Sequence, residues 1–252
     1  MSSEIIVRLN LQQRLEHLAT MLVFTLLCLT GLPQKFHASD WAHSLVGFFG
    51  GIDSTRALHR LCGVLLALAT VFHFASAIGA IAGKKIRLAM VPAKQDFRDA
   101  IGTLRYYLGA ADRAPPFDRY DYRMKFEYWG LVAGNVIMVL TGFILYFPTL
   151  AVRLVPGQFI PAAKVAHSNE GLMAFLVITI WHIYNAHLNP DVFPFDTSIF
   201  TGKISRERML HEHPLELARM EGKTLAELGG GHAGSQAVAA RGHGRTDAGK
   251  MG

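Results

Sequence analysis

Four long apolar stretches alternate with polar segments along the chain. They occupy roughly residues 15–36, 57–82, 126–148 and 165–187, and Lys and Arg are nearly absent within them. About 20 consecutive apolar residues cross a bilayer as a helix. The purely apolar centres of the first and last stretches are shorter, and a turn that carries histidine extends each of them. Four such stretches in one chain favour membrane spans over the buried helices of a soluble protein.

Composition agrees with this pattern. The chain is 51% hydrophobic and only 17% charged, whereas about 25% charged residues are usual in a soluble domain. The two cysteines, Cys28 and Cys62, both lie in apolar stretches and are too few for a disulfide framework or a Cys-rich metal site. The first stretch lacks the basic segment and cleavage site of a signal peptide, so we expect it to be a retained span.

Positive charge predicts the orientation of the spans. The segments before span 1, between spans 2 and 3, and after span 4 hold 2, 10 and 8 of the 25 Lys and Arg residues. Because such residues accumulate on the cytoplasmic side, we expect an all-α, integral-membrane four-helix bundle with both the N and the C terminus in the cytoplasm. The bundle would lie in a bacterial inner membrane, with the loops 37–56 and 149–164 in the periplasm. The basic residues behind the net charge of +6 then lie next to anionic lipid headgroups. We therefore expect a membrane surface and no nucleic acid as their partner.

The same pattern predicts the organisation of the chain. We expect a cytoplasmic N-terminus (1–14), a four-span domain (15–190) with a cytoplasmic loop (83–125), a cytoplasmic tail (191–228) and a disordered, Gly/Ala-rich end (229–252). Within the loop, four apolar residues recur at helical spacing, with Lys94, Arg98 and Arg105 beside them: Phe97, Ile101, Leu104 and Leu108. This spacing favours an amphipathic helix on anionic membrane lipid, with a solvated connecting helix as the alternative.

Six of the twelve histidines lie in the spans or at their ends, where ionisable groups are costly and usually functional. They are His17, His59, His73, His167, His182 and His187. His73 follows His59 by about 21 Å along the helix axis, and His182 follows His167 by about 22 Å, each on roughly the same helix face. Two parallel ladders of imidazoles are what two stacked bis-histidine haems require.

Small residues favour the same interpretation, because a glycine follows each opening histidine by four residues and leaves room for a flat macrocycle. These glycines are Gly63 and Gly171. Non-haem metal sites usually combine histidines with carboxylates on facing helices, and Glu170 is the only acidic residue placed suitably after a span histidine. Haem b is therefore the favoured cofactor. The ligands of the second haem stay open between His17–His182 and His73–His182, and a third haem on the remaining pair is a further alternative.

Several motifs together resemble the cytochrome b membrane subunits of respiratory formate dehydrogenases, nickel–iron hydrogenases and thiosulfate reductases. They are "RLEHLATMLVFTLLCLTGLP" in span 1, "ALHRLCG" opening span 2, "LTGFILYF" in span 3, "HSNEG" and "WHIYNAHLNP" in span 4, and "FTGKISRERMLHEHP" in the tail. The resemblance implies a periplasmic-side haem on His59 and His167 and a cytoplasmic-side haem on His17 and His182. His73 and His187 depart from the formate dehydrogenase pattern and look more like small cytochromes b that accompany multihaem cytochromes.

The resemblance also implies a function. A periplasmic redox subunit, either an iron–sulfur protein or a multihaem cytochrome, would exchange electrons through the haems with quinone near the loop that enters span 3. The residues there are Tyr120, Asp121, Arg123 and Lys125, for which interfacial anchoring is the alternative role. The chain would then be an electron-transfer subunit of a membrane oxidoreductase complex. A stand-alone quinol-linked oxidase or ferric reductase, and a haem-free anchor or transporter, are the other functions to be tested.

Overall fold

The computed structural model describes residues 4–83, 88–189 and 192–229, which belong to two compact units. Residues 9–83, 129–189 and 192–202 form the first, here called the span unit. Residues 4–8, 88–128 and 203–229 form the second, here called the polar unit.

The described residues are mainly helical. In chain order the elements are β1 (Ile5–Val7), α1 (Leu11–Lys35), α2 (Asp40–Phe48), α3 (Ile52–Ala82), α4 (Lys94–Tyr107), α5 (Tyr122–Tyr146), α6 (Pro148–Leu154), α7 (Phe159–Leu176), α8 (Ser198–Thr201), β2 (Lys203–Ser205), α9 (Arg206–Glu212) and α10 (Pro214–Glu221). After α7 the helix continues through two π-helical segments, Val177–His182 and Tyr184–Leu188.

Four helices are long and apolar enough to cross a membrane, which confirms the predicted number of spans. They are Leu11–Lys35, Ile52–Ala82, Tyr122–Tyr146 and Phe159–Leu188. The first three begin about one turn before the apolar pattern indicated, because the first turn of each contains polar residues. The fourth begins at Phe159, well before the predicted residue 165. Apolar side chains such as Leu68, Val71 and Leu140 are at least 60% exposed along the spans. Helices that are apolar on their outer faces are typical of contact with lipid.

Side-chain caps determine where two of the spans begin. The Asn10 side chain accepts the backbone N–H of Gln13, and the Gln13 side chain accepts the backbone N–H of Asn10, so α1 starts with a reciprocal capping box. Asp121 accepts the backbone N–H of Met124 at 2.8 Å and thereby caps α5. Gly51, at φ +98°, makes the turn before α3 that other residues rarely adopt.

Polar contacts between spans lie inside the span unit. Asn135 on α5 donates to the hydroxyl of Thr70 on α3 at 2.6 Å. Lys35 at the end of α1 donates to the amide oxygen of Asn169 on α7 at 2.7 Å. Because lipid cannot satisfy such groups, these hydrogen bonds restrict how the four spans rotate against one another.

The polar unit contains the strands that the all-α prediction lacked. Strands β1 and β2 pair in antiparallel fashion, with Ile6 opposite Ile204, and they join the N-terminus to the tail. A small core lies beneath them, made of Ile204, Met209, Leu217, Ala218 and Leu228. The buried carboxylate of Glu216 pairs with Arg8 at 3.3 Å and Arg119 at 2.6 Å. The N-terminus, the 83–125 loop and the tail therefore fold together.

The predicted amphipathic helix is α4, and its apolar side is exposed. Phe97 is 75% exposed and Ile101 60%, whereas Asp99 and Thr103 on the opposite side are buried.

Two other predictions about the organisation of the chain stay untested. The disordered end at 229–252 lies almost wholly outside the described residues, and the boundaries of the predicted domains stay predictions.

Candidate functional site

The span unit contains two pairs of imidazole rings, and within each pair the two rings face each other. His59 on α3 and His167 on α7 have their ring centres 6.2 Å apart, with an angle of 80° between the ring planes. His17 on α1 and His182 have theirs 6.1 Å apart, with an angle of 35°. We call these the upper pair and the lower pair.

The two separations suit a single metal ion between each pair of rings. A metal–imidazole bond is about 2.0 Å long and the nitrogen lies about 1.2 Å from the ring centre, so two axial imidazoles place their ring centres about 6.4 Å apart. Both pairs come close to this value. Imidazole is also a usual axial ligand of haem iron. The residues present therefore fit two bis-histidine haems.

The π-helical backbone changes the direction of His182. A π-helix closes its hydrogen bonds over five residues and takes more residues per turn than the 3.6 of an α-helix. Each residue in Val177–His182 thus advances the side chain through a smaller angle. A π-helical segment of this length therefore reduces the angle of about 60° that a continuous α-helix would put between His167 and His182.

Each ring of the upper pair contacts a threonine of a neighbouring span. The Thr30 hydroxyl on α1 lies 2.9 Å from Nδ1 of His59. The Thr141 hydroxyl on α5 lies 2.9 Å from Nδ1 of His167. These contacts occupy the nitrogen that a metal ion bound at Nε2 leaves available.

A glycine follows each threonine, and both glycines lie against the same histidine rings. A Cβ at Gly31 would lie 2.9 Å from Cε1 of His59, and a Cβ at Gly142 would lie 3.3 Å from Cε1 of His167. Real Cβ atoms rarely come this close to another carbon. The rings therefore approach α1 and α5 because these two positions lack side chains.

The Thr–Gly dyads, Thr30–Gly31 and Thr141–Gly142, have no role predicted from the sequence. The signal was the recurrence of "LTG" in span 1 and span 3, which contributed to the family resemblance and to nothing else. The glycines that the sequence did single out behave differently. A Cβ at Gly63 would meet no atom within 4 Å, and a Cβ at Gly171 would meet Cε of Met138 at 3.5 Å.

The two remaining span histidines make contacts of another kind. Nδ1 of His73 lies 2.8 Å from the Glu16 carboxylate. The ring of His187 stacks on Phe195, with ring centres 4.1 Å apart and planes 3° from parallel. The His73 contact is at Nδ1 and the His187 contact is at the ring face, so both rings keep Nε2 available and a third haem stays an alternative.

The lower pair also has a buried polar atom that lacks a hydrogen-bond partner among the described residues. This atom is Nδ1 of His17. Buried polar atoms are nearly always satisfied in folded proteins. The lower pair thus differs from the upper pair, whose Nδ1 atoms both contact hydroxyl groups.

The four predicted quinone residues lie in the polar unit and have structural partners there. Asp121 is 4% exposed, caps α5 and pairs with Arg123 at 2.6 Å. Lys125 pairs with Asp96 at 2.8 Å. The hydroxyl of Tyr120 accepts from Arg119. Helix capping and ion pairing are therefore enough to explain these side chains, and their contact with quinone stays a prediction.

Four apolar spans and two facing imidazole pairs define a multi-pass membrane cytochrome of the b type. Residues 8–192 match the family described as prokaryotic cytochrome b561, and the chain belongs to this family.

Similar proteins have names that agree with this family. The chain is 24% identical over 230 residues to "Formate dehydrogenase, nitrate-inducible, cytochrome b556(Fdn) subunit" of Escherichia coli (strain K12), covering 90% of this chain and 98% of the relative. It is also 24% identical over 194 residues to "Formate dehydrogenase, cytochrome b556 subunit" of Haemophilus influenzae, covering 72% of this chain and 70% of the relative.

These matches confirm the resemblance seen in the motifs. The protein is a multi-pass protein of the bacterial inner membrane and a haem b electron-transfer subunit. Bound haem supplies one-electron chemistry, and the protein supplies the ligands, their surroundings and the distance between sites.

Proposed function

We propose that this chain relays electrons across the inner membrane through two b haems, one on each imidazole pair. The observation that carries the proposal is the pair of ring-centre separations, 6.2 Å and 6.1 Å, each between different spans. His167 and His182 lie on the same span, where a continuous α-helix would separate them by about 22 Å and the π-helical segment shortens this distance slightly. Two haems at these levels would provide redox centres near both faces of the bilayer.

We place the upper pair towards the periplasm and both termini in the cytoplasm. The distribution of Lys and Arg supports this orientation. The polar unit independently supports the part of this proposal that puts these segments on one common side, because Glu216 of the tail pairs with Arg8 of the N-terminus and Arg119 of the 83–125 loop. Three segments that fold together must lie on the same side of the membrane.

The proposed partner is a catalytic redox subunit in the periplasm. The relatives are named as cytochrome subunits of formate dehydrogenases, which supports assembly with an enzyme of this kind. The partner would dock on the loops 37–56 and 149–164 and exchange electrons with the upper haem. It is either an iron–sulfur protein or a multihaem cytochrome.

The proposed partner on the cytoplasmic side is quinone. Asp121 offers a direct test, because asparagine caps helices about as well as aspartate. Asp121→Asn should therefore keep α5 capped while it removes the charge beside Arg123. A raised KM for quinol-dependent haem reduction, with unchanged haem spectra, would support a quinone role. Unchanged kinetics would assign Asp121 to capping alone.

The helix α4 is proposed to lie on the cytoplasmic surface of the membrane. Its exposed side carries apolar residues flanked by Lys94, Arg98 and Arg105, a combination that suits anionic lipid. The Asp96–Lys125 ion pair joins its first turn to the first turn of α5. Because α5 is a candidate span, this pair supports a position of α4 close to the membrane surface.

Haem quantitation on the chain purified from membranes tests the function. We expect two b haems per chain, both reduced when the periplasmic partner receives its electron donor in vesicles that contain quinone. A value of three would support the additional site, and absence of a Soret band would identify a haem-free anchor or transporter. Turnover of quinol by the chain without any partner would favour a stand-alone oxidase or ferric reductase.

A further inference from the structure

The Thr30 hydroxyl has one proton, and its oxygen has two close neighbours, the Leu26 carbonyl and the His59 ring. Its oxygen lies 2.6 Å from the carbonyl oxygen of Leu26. Two oxygens come this close only when a hydrogen lies between them, and a carbonyl cannot donate. The hydroxyl therefore donates to Leu26 and can only accept from His59. The ring of His59 accordingly carries its proton on Nδ1.

Thr141 has the same contacts in another span. Its hydroxyl oxygen lies 2.6 Å from the carbonyl oxygen of Ile137, so it also donates to the backbone four residues earlier. It too can only accept at the Nδ1 of His167, 2.9 Å away.

We propose that Thr30 and Thr141 are positioning residues for the upper haem. They hold His59 and His167 in the tautomer that has the proton on Nδ1 and the lone pair on Nε2, with the rings at fixed angles. This proposal rests on the assignment of the upper pair as haem ligands under the proposed function. It adds the two residues that determine the tautomer, the ring angle and the electronic properties of those ligands.

The hydrogen bonds have an electronic consequence. An imidazole that donates from Nδ1 is a more basic ligand at Nε2. A more basic ligand stabilises ferric iron more than ferrous iron, and therefore lowers the midpoint potential of the haem. The lower pair differs in this respect, because Nδ1 of His17 has no hydrogen-bond partner among the described residues. The upper haem should respond to loss of either hydroxyl, and the lower haem should not.

The glycines complete each dyad by allowing the ring to approach the threonine. Alanine at position 31 would place its Cβ 2.9 Å from Cε1 of His59, and alanine at position 142 would place its Cβ 3.3 Å from Cε1 of His167. Gly31→Ala should therefore turn its ring more than Gly142→Ala does. Gly79→Ala on α3 is the matched control, because a Cβ there meets nothing within 4 Å.

The test uses the full chain with haem bound, in detergent or nanodiscs. Thr30→Val and Thr141→Val remove the hydroxyl and nearly preserve side-chain shape. We expect each variant to keep two haems, to raise the midpoint potential of one of them and to shift its low-spin EPR g values. A tenfold loss of preference for ferric iron corresponds to a rise of about 59 mV for one electron. Thr30→Ser should restore values near those of the wild type.

Thr25→Val is the control for the loss of a span hydroxyl. The Thr25 hydroxyl also donates to the carbonyl four residues earlier, that of Met21, at 2.8 Å. It lies on the same helix as Thr30. We expect neither haem potential to change in this variant. A rise equal to that of Thr30→Val would contradict the proposed role, because it would show a general effect of removing a hydroxyl from α1.

The outcomes separate this proposal from the proposed function. Unchanged potentials and g values in both valine variants would overturn it, even if His59→Ala loses one haem as the proposed function requires. If His59→Ala keeps both haems, the assignment of the upper pair is wrong, and this proposal, which depends on it, is wrong as well. Should Thr30→Val not insert in the membrane, Thr30→Ala removes the same hydroxyl without the second methyl group and is measured in the same way.

Discussion

The carboxylate of Glu16 lies 2.8 Å from Nδ1 of His73 and connects α1 to α3. Glu16 is the residue immediately before His17. This contact bears on the ligands of the lower haem, which the spacing of the histidines left open. His17 faces His182 at a separation suited to one iron, and this separation is the observation that favours the pair, since a carboxylate at Nδ1 of His73 leaves its Nε2 available. We therefore expect His17 and His182 to be the ligands.

Single substitutions distinguish the two candidate pairs. His17→Ala and His182→Ala should each reduce the haem content from two to one per chain, because each removes an axial ligand. His73→Ala should leave two haems, since His17 and His182 would hold the second haem without it. Pyridine haemochrome assays against protein concentration measure this. A haem lost from His73→Ala but kept in His17→Ala would reverse the assignment.

The upper pair makes a separate prediction. His59→Ala and His167→Ala should each lose one haem and keep the other, because the lower pair shares neither ligand. The haem that remains should be the same one in both variants, with one midpoint potential and one set of EPR g values. Different remaining haems in the two variants would show that these histidines do not bind the same iron.

Orientation can be tested with reporter fusions. Fusions at residues 45 and 155 should report a periplasmic location, and fusions at residues 100 and 230 a cytoplasmic one, as the charge distribution requires. Alkaline phosphatase and a fluorescent protein provide complementary signals. A periplasmic signal at residue 100 would reverse the proposed orientation of the spans in the membrane.

Stability of the polar unit should depend on pH through His213. Burial, and to a lesser extent the charge of Arg8, lowers the pKa of His213 to about 4. Its ordinary pKa is about 6.5, so the unfolded unit binds more protons between these values and stability falls as the pH drops from 6.5 towards 4. The loss amounts to about 3 kcal/mol at most.

Hydrogen exchange of the amides in α9 and α10 measures this effect, after correction for the intrinsic pH dependence of exchange. His213→Asn should flatten the dependence, because asparagine does not titrate and its amide can donate to the carbonyl oxygen of Asp118 as the histidine ring does. A variant as sensitive to pH as the wild type would show that another group is responsible.

Contact of α4 with lipid can be measured by spin labelling. In a chain that carries Cys28→Ala and Cys62→Ala, a label at residue 101 should collide more with oxygen than with a polar nickel complex. A label at the exposed Asp112 should show the reverse. Equal exposure of both labels to the nickel complex would favour a solvated connecting helix.

The spans and the six histidines could be predicted from sequence because they depend on composition and on helical spacing. The contact between Thr30 and His59 could not, since it depends on how α1 and α3 are rotated against each other. The π-helical segments also gave no signal, because a shift in backbone hydrogen bonding changes no residue type. Strands of three residues, such as β1, are too short for alternation to be visible.

Asp121 carries a helix-capping signal beside its predicted contact with quinone. Its position beside basic and aromatic residues suggested a ligand site, yet it immediately precedes the first residue of α5. An Asp before an apolar helix is a usual N-cap signal. As a cap, Asp121 predicts the start of span 3 about one turn before the apolar pattern does, at the position where α5 begins.

The π-helical backbone before His182 affects how related sequences should be compared. More residues per turn over a similar pitch means that each residue in Val177–His182 contributes less length than an α-helical residue. Counting residues therefore overestimates the depth at which this ligand lies. Relatives that lack such a segment would place an equivalent histidine at the same level with fewer intervening residues. A search for this type of cytochrome should accordingly allow the interval between the two histidines of the last span to vary, while it keeps the "LTG" motifs of spans 1 and 3 fixed.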